Sequence, residues 1–424
     1  MAISNSQDWA ESSGPQFVTR KGHRQWLLTQ AAALFDFFEP HLVNPVGGFH
    51  VLDNLGQPLL PKPGHSGQER QLHDTTRMVH CFALGKLTGR ANADDIIDHG
   101  MDFLWHRHRD VKNGGYHWGV DDVSPTNPVK LAYGHAFVLL ASASAKMVGH
   151  PDADRLLEDV SDVLRRRFWE TTVGATSEEY SADWQGISDY RGQNSNMHLT
   201  EALMAAYEAT DDQSFLDMAE SIAELIIHRH AREQGWRVAE HFDRDWHVDL
   251  KYAGDPMFRP AGTTPGHAME WSRLLVQLWE LGNQRNDWMV EAAKHLFRNA
   301  VETSWATDTG GFYYTLGWDD APDQTDRFWW PCAEGIAAAT ALGSLTQDPF
   351  HEDWYRRIWK FADAHIIDYQ NGGWFPELDS ELRPVNRVFA GKPDLYHALQ
   401  ACLLPLLPTG GRISRDLCQS ASRV

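Results

Sequence analysis

The chain has 424 residues, 42% of them hydrophobic, and a formal charge of −20 at neutral pH. So acidic a protein argues against nucleic acid and anionic membrane surfaces as partners, while the apolar content is ample for a large core. Cys81, Cys332, Cys402 and Cys418 lack any C-x-x-C spacing, which suits a reducing compartment and offers no metal framework.

In chain order, residues 1–16 read as a loose polar tail with neither a basic n-region nor an apolar h-region, so no signal peptide is expected. No apolar run approaches the ~20 residues of a membrane span, and a soluble cytoplasmic protein is the expectation. About a dozen helical patterns then fill residues 20–408, joined alternately by short turns and long loops, and a second loose tail is expected beyond 408. The whole of 1–424 is expected to form a single catalytic domain.

The long loops share a signature. Gly47-Gly48-Phe49 leads to Asp53, Gly114-Gly115-Tyr116 to Asp121, Gly310-Gly311-Phe312 to Asp319, and Gly372-Gly373-Trp374 to Asp379. Degenerate copies run from Gly174 to Asp183 and from Gly235-Trp236 to Asp243. The second glycines recur roughly every 60–75 residues, which marks six repeated units. The glycines allow left-handed turns, and the aromatic alternation after them predicts a small hairpin.

Two kinds of helix flank these loops. Those ahead of them (154–168, 215–228, 287–299, 353–366) carry apolar residues at three- and four-residue steps. Those after them (131–147, 336–345, 397–407) are Ala-rich and apolar nearly all round, which requires burial on every face. Six half-buried helices around six buried ones predict an all-α fold, an (α/α)6 barrel with hairpin-bearing loops over one mouth; a linear solenoid is the alternative.

The inner helices then run parallel, and their N-termini open at that mouth. The first carries Arg77, the second begins with Tyr133 and His135, and the third runs from Asn194 through His198 to Glu201. The fourth follows Arg259 and Pro265 with His267 and Glu270; the fifth holds Trp330 and Glu334, and the sixth His397. His-x-x-Glu thus occurs twice in register, and three histidines at equivalent helix ends predict an acid–base pocket. Helix N-termini there favour an oxyanion or enediolate. The residues alone leave three chemistries open: proton transfer beside a carbonyl, a three-histidine metal site, and inverting glycoside hydrolysis by Glu201, Glu270 or Glu334.

The motifs Thr76-Arg77-Met78, Tyr190-Arg191-Gly192-Gln193-Asn194-Ser195-Asn196-Met197-His198, Gly262-Thr263-Thr264-Pro265-Gly266-His267-Ala268-Met269-Glu270-Trp271 and Lys392-Pro393-Asp394-Leu395-Tyr396-His397 resemble those of the N-acylglucosamine 2-epimerase superfamily, over roughly residues 20–408. The resemblance implies cofactor-free and metal-free proton transfer on a ring-opened monosaccharide through a cis-enediolate. It casts His267 and His397 as the acid–base pair, His198 as a third pocket histidine, Arg77 as the holder of the reacting oxygens and Glu270 as the brace of His267. Tyr133, Asn194, Glu201, Arg259, Trp330, Glu334 and Trp374 become candidate sugar contacts. Sulfosugar members carry amides where this chain has Pro376 and Pro393. Proline has no donor for a sulfonate, so the expectation is a neutral sugar: D-mannose to D-fructose, with D-lyxose and D-xylulose as pentose counterparts.

Overall fold

The computed structural model describes residues 16–64, 66–408 and 411–421; most of the expected N-terminal tail, up to residue 15, lies outside them. Helices alternate as the repeat predicts. In chain order they are α1 (Lys21–Leu42), α2 (Leu72–Leu87), α3 (Ala93–Phe103), α4 (Ala132–Met147), α5 (Ala153–Val163), α6 (Gln193–Thr210) and α7 (Gln213–Ala223). There follow α8 (Pro265–Leu281), α9 (Trp288–Ser304), α10 (Trp329–Thr346), α11 (Pro349–Phe361), α12 (Tyr396–Leu403) and α13 (Ile413–Ala421).

The even-numbered helices α2 to α12 pack side by side in a ring that closes from α12 onto α2. Outside it, α3, α5, α7, α9 and α11 each lie against the inner helix before them, and α1 lies against α12. This is the (α/α)6 barrel. The two helix types differ in burial as their composition requires: α4 buries almost every residue from Ala132 to Ala145, whereas α5 buries only a stripe of Ala153, Leu156, Leu157, Val160 and Ser161. No helix among the described residues is long and apolar enough to cross a membrane.

The Gly-Gly signature explains itself in three dimensions. The two glycines are the hairpin turn, with φ of +79° and +71° at Gly114 and Gly115 and +89° and +69° at Gly372 and Gly373. The aromatic after them bridges back to the end of the outer helix, as Tyr116 does to Arg109 and Trp374 to Ile367. Next, the repeat's aspartate caps a second turn: Asp53, Asp243 and Asp379 each accept two backbone N–H groups through one oxygen. In the third unit Ser181 takes that role, accepting from Gln185 N. Asp183, expected there from spacing, bonds Ser181 instead.

Each inner helix is preceded by a two-residue strand or single bridge that pairs with the next unit's hairpin. Arg70–Gln71 pairs with Gly119–Val120, Lys130–Leu131 with Glu179–Tyr180, Arg191–Gly192 with His241–Phe242, and Arg327–Phe328 with Glu377–Leu378. Thr263 bridges Leu316, and Lys392 bridges Leu52, which joins the sixth unit to the first. Five of these six lead-ins start with a buried cation. Lys130 and Lys392, for example, pair with Asp110 at 2.7 Å and Asp368 at 2.8 Å under the Gly-Gly turns. Pairing and charge together fix how far each helix N-terminus rises at the mouth.

Beyond residue 408 the structure departs from the expected tail. Residues 413–421 form α13, packed on α2. Leu417 is buried, and Glu208 near the C-terminus of α6 accepts the backbone N–H groups of Arg415 at 2.8 Å and Ser414 at 3.3 Å. A short polar-looking sequence becomes ordered helix because a foreign carboxylate caps it. It covers the end of the barrel opposite the mouth.

Candidate active site

At the mouth the helix N-termini surround a cavity that opens to solvent. Its polar lining includes Arg77, Tyr133, Asn194, His198, His267, Glu270, Asp394 and His397. Trp329, Trp330, Tyr314, Met257, Phe258, Phe389 and Pro393 supply most of its apolar wall. Trp330 is the central surface, with its ring centroid 5.1 Å from that of His267 and 5.9 Å from that of His397. Gly266 makes this approach possible, since a Cβ there would lie 2.3 Å from the indole.

His267 rises from the first turn of α8, where Pro265 occupies a helix start that needs no N–H. Its Nδ1 lies 2.9 and 3.0 Å from the two carboxylate oxygens of Glu240 and 3.0 Å from Gln193 Nε2. Burial works to raise the Glu240 pKa, but His267, His241 and Gln193 together hold it below the ordinary carboxylate value. Glu240 is therefore an acceptor. The Gln193 amide is oriented by the Trp271 indole N–H, which donates to its Oε1 at 2.7 Å, so its Nε2 donates to Glu240 at 2.7 Å. The proton between ring and carboxylate must then sit on His267 Nδ1, leaving Nε2 as the free base.

The second histidine repeats the arrangement with different parts. His397, on the first turn of α12, meets Glu334 Oε1 of α10 at 2.7 Å through Nδ1. The other oxygen of Glu334 accepts from Arg273 Nε at 2.5 Å. Burial opposes ionisation of Glu334, yet Arg273 and His397 bring its pKa down to about 2. His397 itself lies below the usual histidine value because burial outweighs the raising influence of Glu334. Again the carboxylate accepts, Nδ1 carries the proton and Nε2 is a neutral base.

Around this pair stand the oxygen-binding groups. Arg77 donates to Asp394 at 2.8 Å and to the Tyr133 hydroxyl at 3.0 Å, and its guanidinium lies over the rings of Phe137 and Tyr396. His198 stands 95% buried against Tyr133 and Phe137. Burial first, then the positive charge of Arg77, holds it well below the ordinary histidine pKa, and it is neutral. Beside His73, which lines the cavity, burial and the nearby Asp394 push Asp74 up to about 7.

Several expected roles need correction. Glu270 does not brace His267. Its oxygen lies 3.5 Å from both His198 Nδ1 and Arg273 NH2, because three residues along a helix carry it a turn deeper, while the His267 ring turns sideways toward Glu240. Glu201 and Glu334 do not line the cavity; they lie beneath it around Arg273. Arg259 bonds Glu179 at 2.8 Å and covers the Tyr190 ring, anchoring its loop outside the cavity wall. Trp374, like Phe49, Tyr116 and Phe312 after the other glycine pairs, points into the core, packed on Trp359. His135 also faces away, accepting from Tyr116 N at 3.1 Å with one ring nitrogen and meeting Leu131 O with the other.

Glu240, Gln193 and Arg273 were not singled out from sequence. Gln193 lies within one of the quoted motifs, and Arg273 has no pattern of its own in the helical stretch that follows Glu270. Glu240 alone had a local signal, as the one carboxylate in the otherwise apolar or aromatic stretch Trp236 to Phe242 apart from Arg237 and His241. Two triads, His198/Glu201/Glu270 and Glu270/Glu334/His397, bring ligand atoms within 4.8 Å of one another, a spacing open to a cation. The Arg273 guanidinium already stands against all three glutamates, so a metal there would have to compete with a resident cation.

Residues 47–401 match the family model described as N-acylglucosamine 2-epimerase (GlcNAc 2-epimerase). The chain is 40% identical over 395 residues to a D-mannose isomerase of Pseudomonas cannabina pv. alisalensis, covering 91% of this chain and 93% of the relative. It is likewise 40% identical over 398 residues to a D-mannose isomerase of Thermobifida fusca, covering 92% and 96%. Among solved structures, a crystal structure of D-mannose isomerase aligns with a TM-score of 0.85 at 34% identity, over 93% of this chain and 99% of that one.

Proposed function

The chain belongs to the N-acylglucosamine 2-epimerase family and is an isomerase; from that premise we propose that it interconverts D-mannose and D-fructose, and D-lyxose and D-xylulose, as an aldose–ketose isomerase. The observation that carries the reading is the pair of carboxylate-held histidines, His267 and His397, turned to one cavity on either side of Trp330. The naming of its 40%-identical relatives as D-mannose isomerases supports the choice of sugar.

With open-chain mannose against Trp330, one histidine Nε2 removes the C2 proton. The electron pair forms the C1–C2 double bond, and the aldehyde oxygen becomes the enediolate oxygen. Arg77, with the Tyr133 hydroxyl beside it, stabilises that charge. The second histidine then carries the O2 proton to O1 and is left neutral, the C2–O2 bond closes to the ketone, and C1 takes its proton from the first imidazolium, after exchange with solvent. The net change is an aldose CHO–CHOH becoming a ketose CH2OH–C=O, with no oxidant or reductant. Pro393 in the wall offers no hydrogen-bond donor to an anionic group, which supports a neutral sugar. The protein is cytoplasmic in this reading, with a monosaccharide as its partner and no metal or other cofactor taking part.

Incubation with mannose, lyxose, glucose, N-acetylglucosamine, sulfoquinovose and cellobiose in deuterated water, followed by NMR, tests the assignment. Fructose from mannose, with deuterium at C1, is the expected result. An epimer labelled at C2 and no ketose would make the protein a 2-epimerase. Loss of turnover on exhaustive chelation, restored by a divalent ion, would overturn the metal-free step.

A further inference from the structure

Beneath the two histidines lies a second layer that the proton transfer just described does not use. Arg273, on α8 and 0% exposed, reaches carboxylates from three inner helices: Glu334 of α10 at 2.5 Å, Glu201 of α6 at 3.2 Å and Glu270 of its own helix at 3.5 Å. Glu201 is held in turn by Gln400 at 3.3 Å and by the Tyr396 hydroxyl. Tyr396 precedes His397. The contacts therefore close a circuit from His397 through Glu334, Arg273, Glu201 and Tyr396 back to the residue beside His397, crossing α12, α10, α8 and α6.

We propose that Arg273 is the positioning residue of the proton-transfer site, holding Glu334 so that His397 keeps its proton on Nδ1 and presents Nε2 to the sugar. The inference rests on the reading of His397 as one of two acid–base histidines. Its physical basis is the division of Glu334 between two donors, one per oxygen: His397 Nδ1 and Arg273 Nε. Without the guanidinium, a carboxylate buried to 1% exposure would have one oxygen unpaired and would gain by taking up a proton. A protonated Glu334 can donate as well as accept, so the ring could turn its proton to Nε2, where it blocks the base. The arrangement also sorts the carboxylates. Glu334, nearest the cation, is ionised, while burial and the Glu334 charge push Glu270 well above the usual carboxylate pKa. On the other side, Glu240 holds His267 with Gln193 and the Thr264 N–H as its further partners, so that histidine does not depend on Arg273.

The test is nitrogen-15 NMR of histidine-labelled free protein, comparing wild type, Arg273→Met and Arg273→Lys, with His397 and His267 assigned through His397→Asn and His267→Asn. Wild type should show both rings in the Nδ1-protonated form. In Arg273→Met, His397 should become a mixture of tautomers while His267 is unchanged. Under the sugar assay kcat should fall roughly 10–100-fold, as when an orienting partner is removed, with KM changed by less than about threefold because no sugar contact is lost. Arg273→Lys keeps the charge but cannot span both Glu334 and Glu201; it should recover part of kcat and part of the wild-type signal. It also serves as the folded reference should the methionine variant fail to fold. A His397 that stays wholly Nδ1-protonated with undiminished kcat in whichever variants fold, or an equal disturbance of His267, overturns the proposal. The NMR measurement needs no sugar, so a wild type that turns over none of the panel would refute the proposed reaction without touching this result.

Discussion

The two sides of the mouth solve one problem by different means. On the α8 side, His267 is held by Glu240, 27 residues earlier in the chain, together with the neutral amide of Gln193. On the α12 side, His397 is held by Glu334, 63 residues earlier, and that carboxylate is tied into a buried cluster of full charges around Arg273. A neutral partner leaves no charge stranded when its neighbour changes; a buried ion cluster cannot lose one member without leaving another unpaired. The two histidines are thus chemically alike but differently vulnerable.

Removing either ring tests the likeness. His267→Ala and His397→Ala should each lower kcat by at least ~10²–10⁴-fold with circular dichroism unchanged, and a variant keeping half its rate would break the pairing. The difference can be sharpened too. A variant that still exchanges the C2 hydrogen of mannose with deuterated water, yet makes no fructose, marks its missing histidine as the one that carries the proton between O2 and O1.

A smaller effect separates their supports. Glu334→Gln should cost roughly 100-fold in kcat and Glu240→Gln nearer tenfold, on the scale of losing an orienting carboxylate. At 334 the new amide N–H faces either the charged Arg273 or His397, both donors; at 240 it faces only the neutral Gln193 amide, while the remaining oxygen keeps His267 and the Thr264 N–H. Equal losses in the two variants would show that the charged cluster adds nothing.

Acidity offers a third probe. Because burial holds the His397 pKa below 6.5, its base form persists until the pH falls through that lowered value. The acid limb of kcat/KM should accordingly lie below pH 6.5. Glu334 is what raises the His397 pKa against burial, so Glu334→Gln should shift the limb to still lower pH, while a shift upward would contradict the assigned contact. Least affected should be Trp374→Phe, which touches the core rather than the mouth. KM for mannose should stay within about twofold, while urea unfolding reports about 1–2 kcal/mol of lost stability; a tenfold rise in KM would return Trp374 to the sugar site.

The amino-acid sequence by itself determined the ring. Six Gly-Gly or degenerate hairpins at near-constant spacing, and helices apolar on all sides alternating with helices apolar on one, have few solutions other than two concentric layers. That in turn put His198, His267, His397 and Arg77 at one level, because parallel inner helices that start at the same end of the ring share a mouth. What sequence could not supply was the choice of partner. Spacing pairs His267 with Glu270, three residues on, since neighbours along a helix are all that a linear pattern can see. The fold instead gives His267 to Glu240 and Glu270 to Arg273 and His198. It sends Trp374 inward and Arg259 outward, and it turns residues 413–421 into a helix capped by Glu208. Each of these depends on side chains brought together from different units across the barrel axis or its seams, where ring geometry, rather than distance along the chain, decides which charges meet.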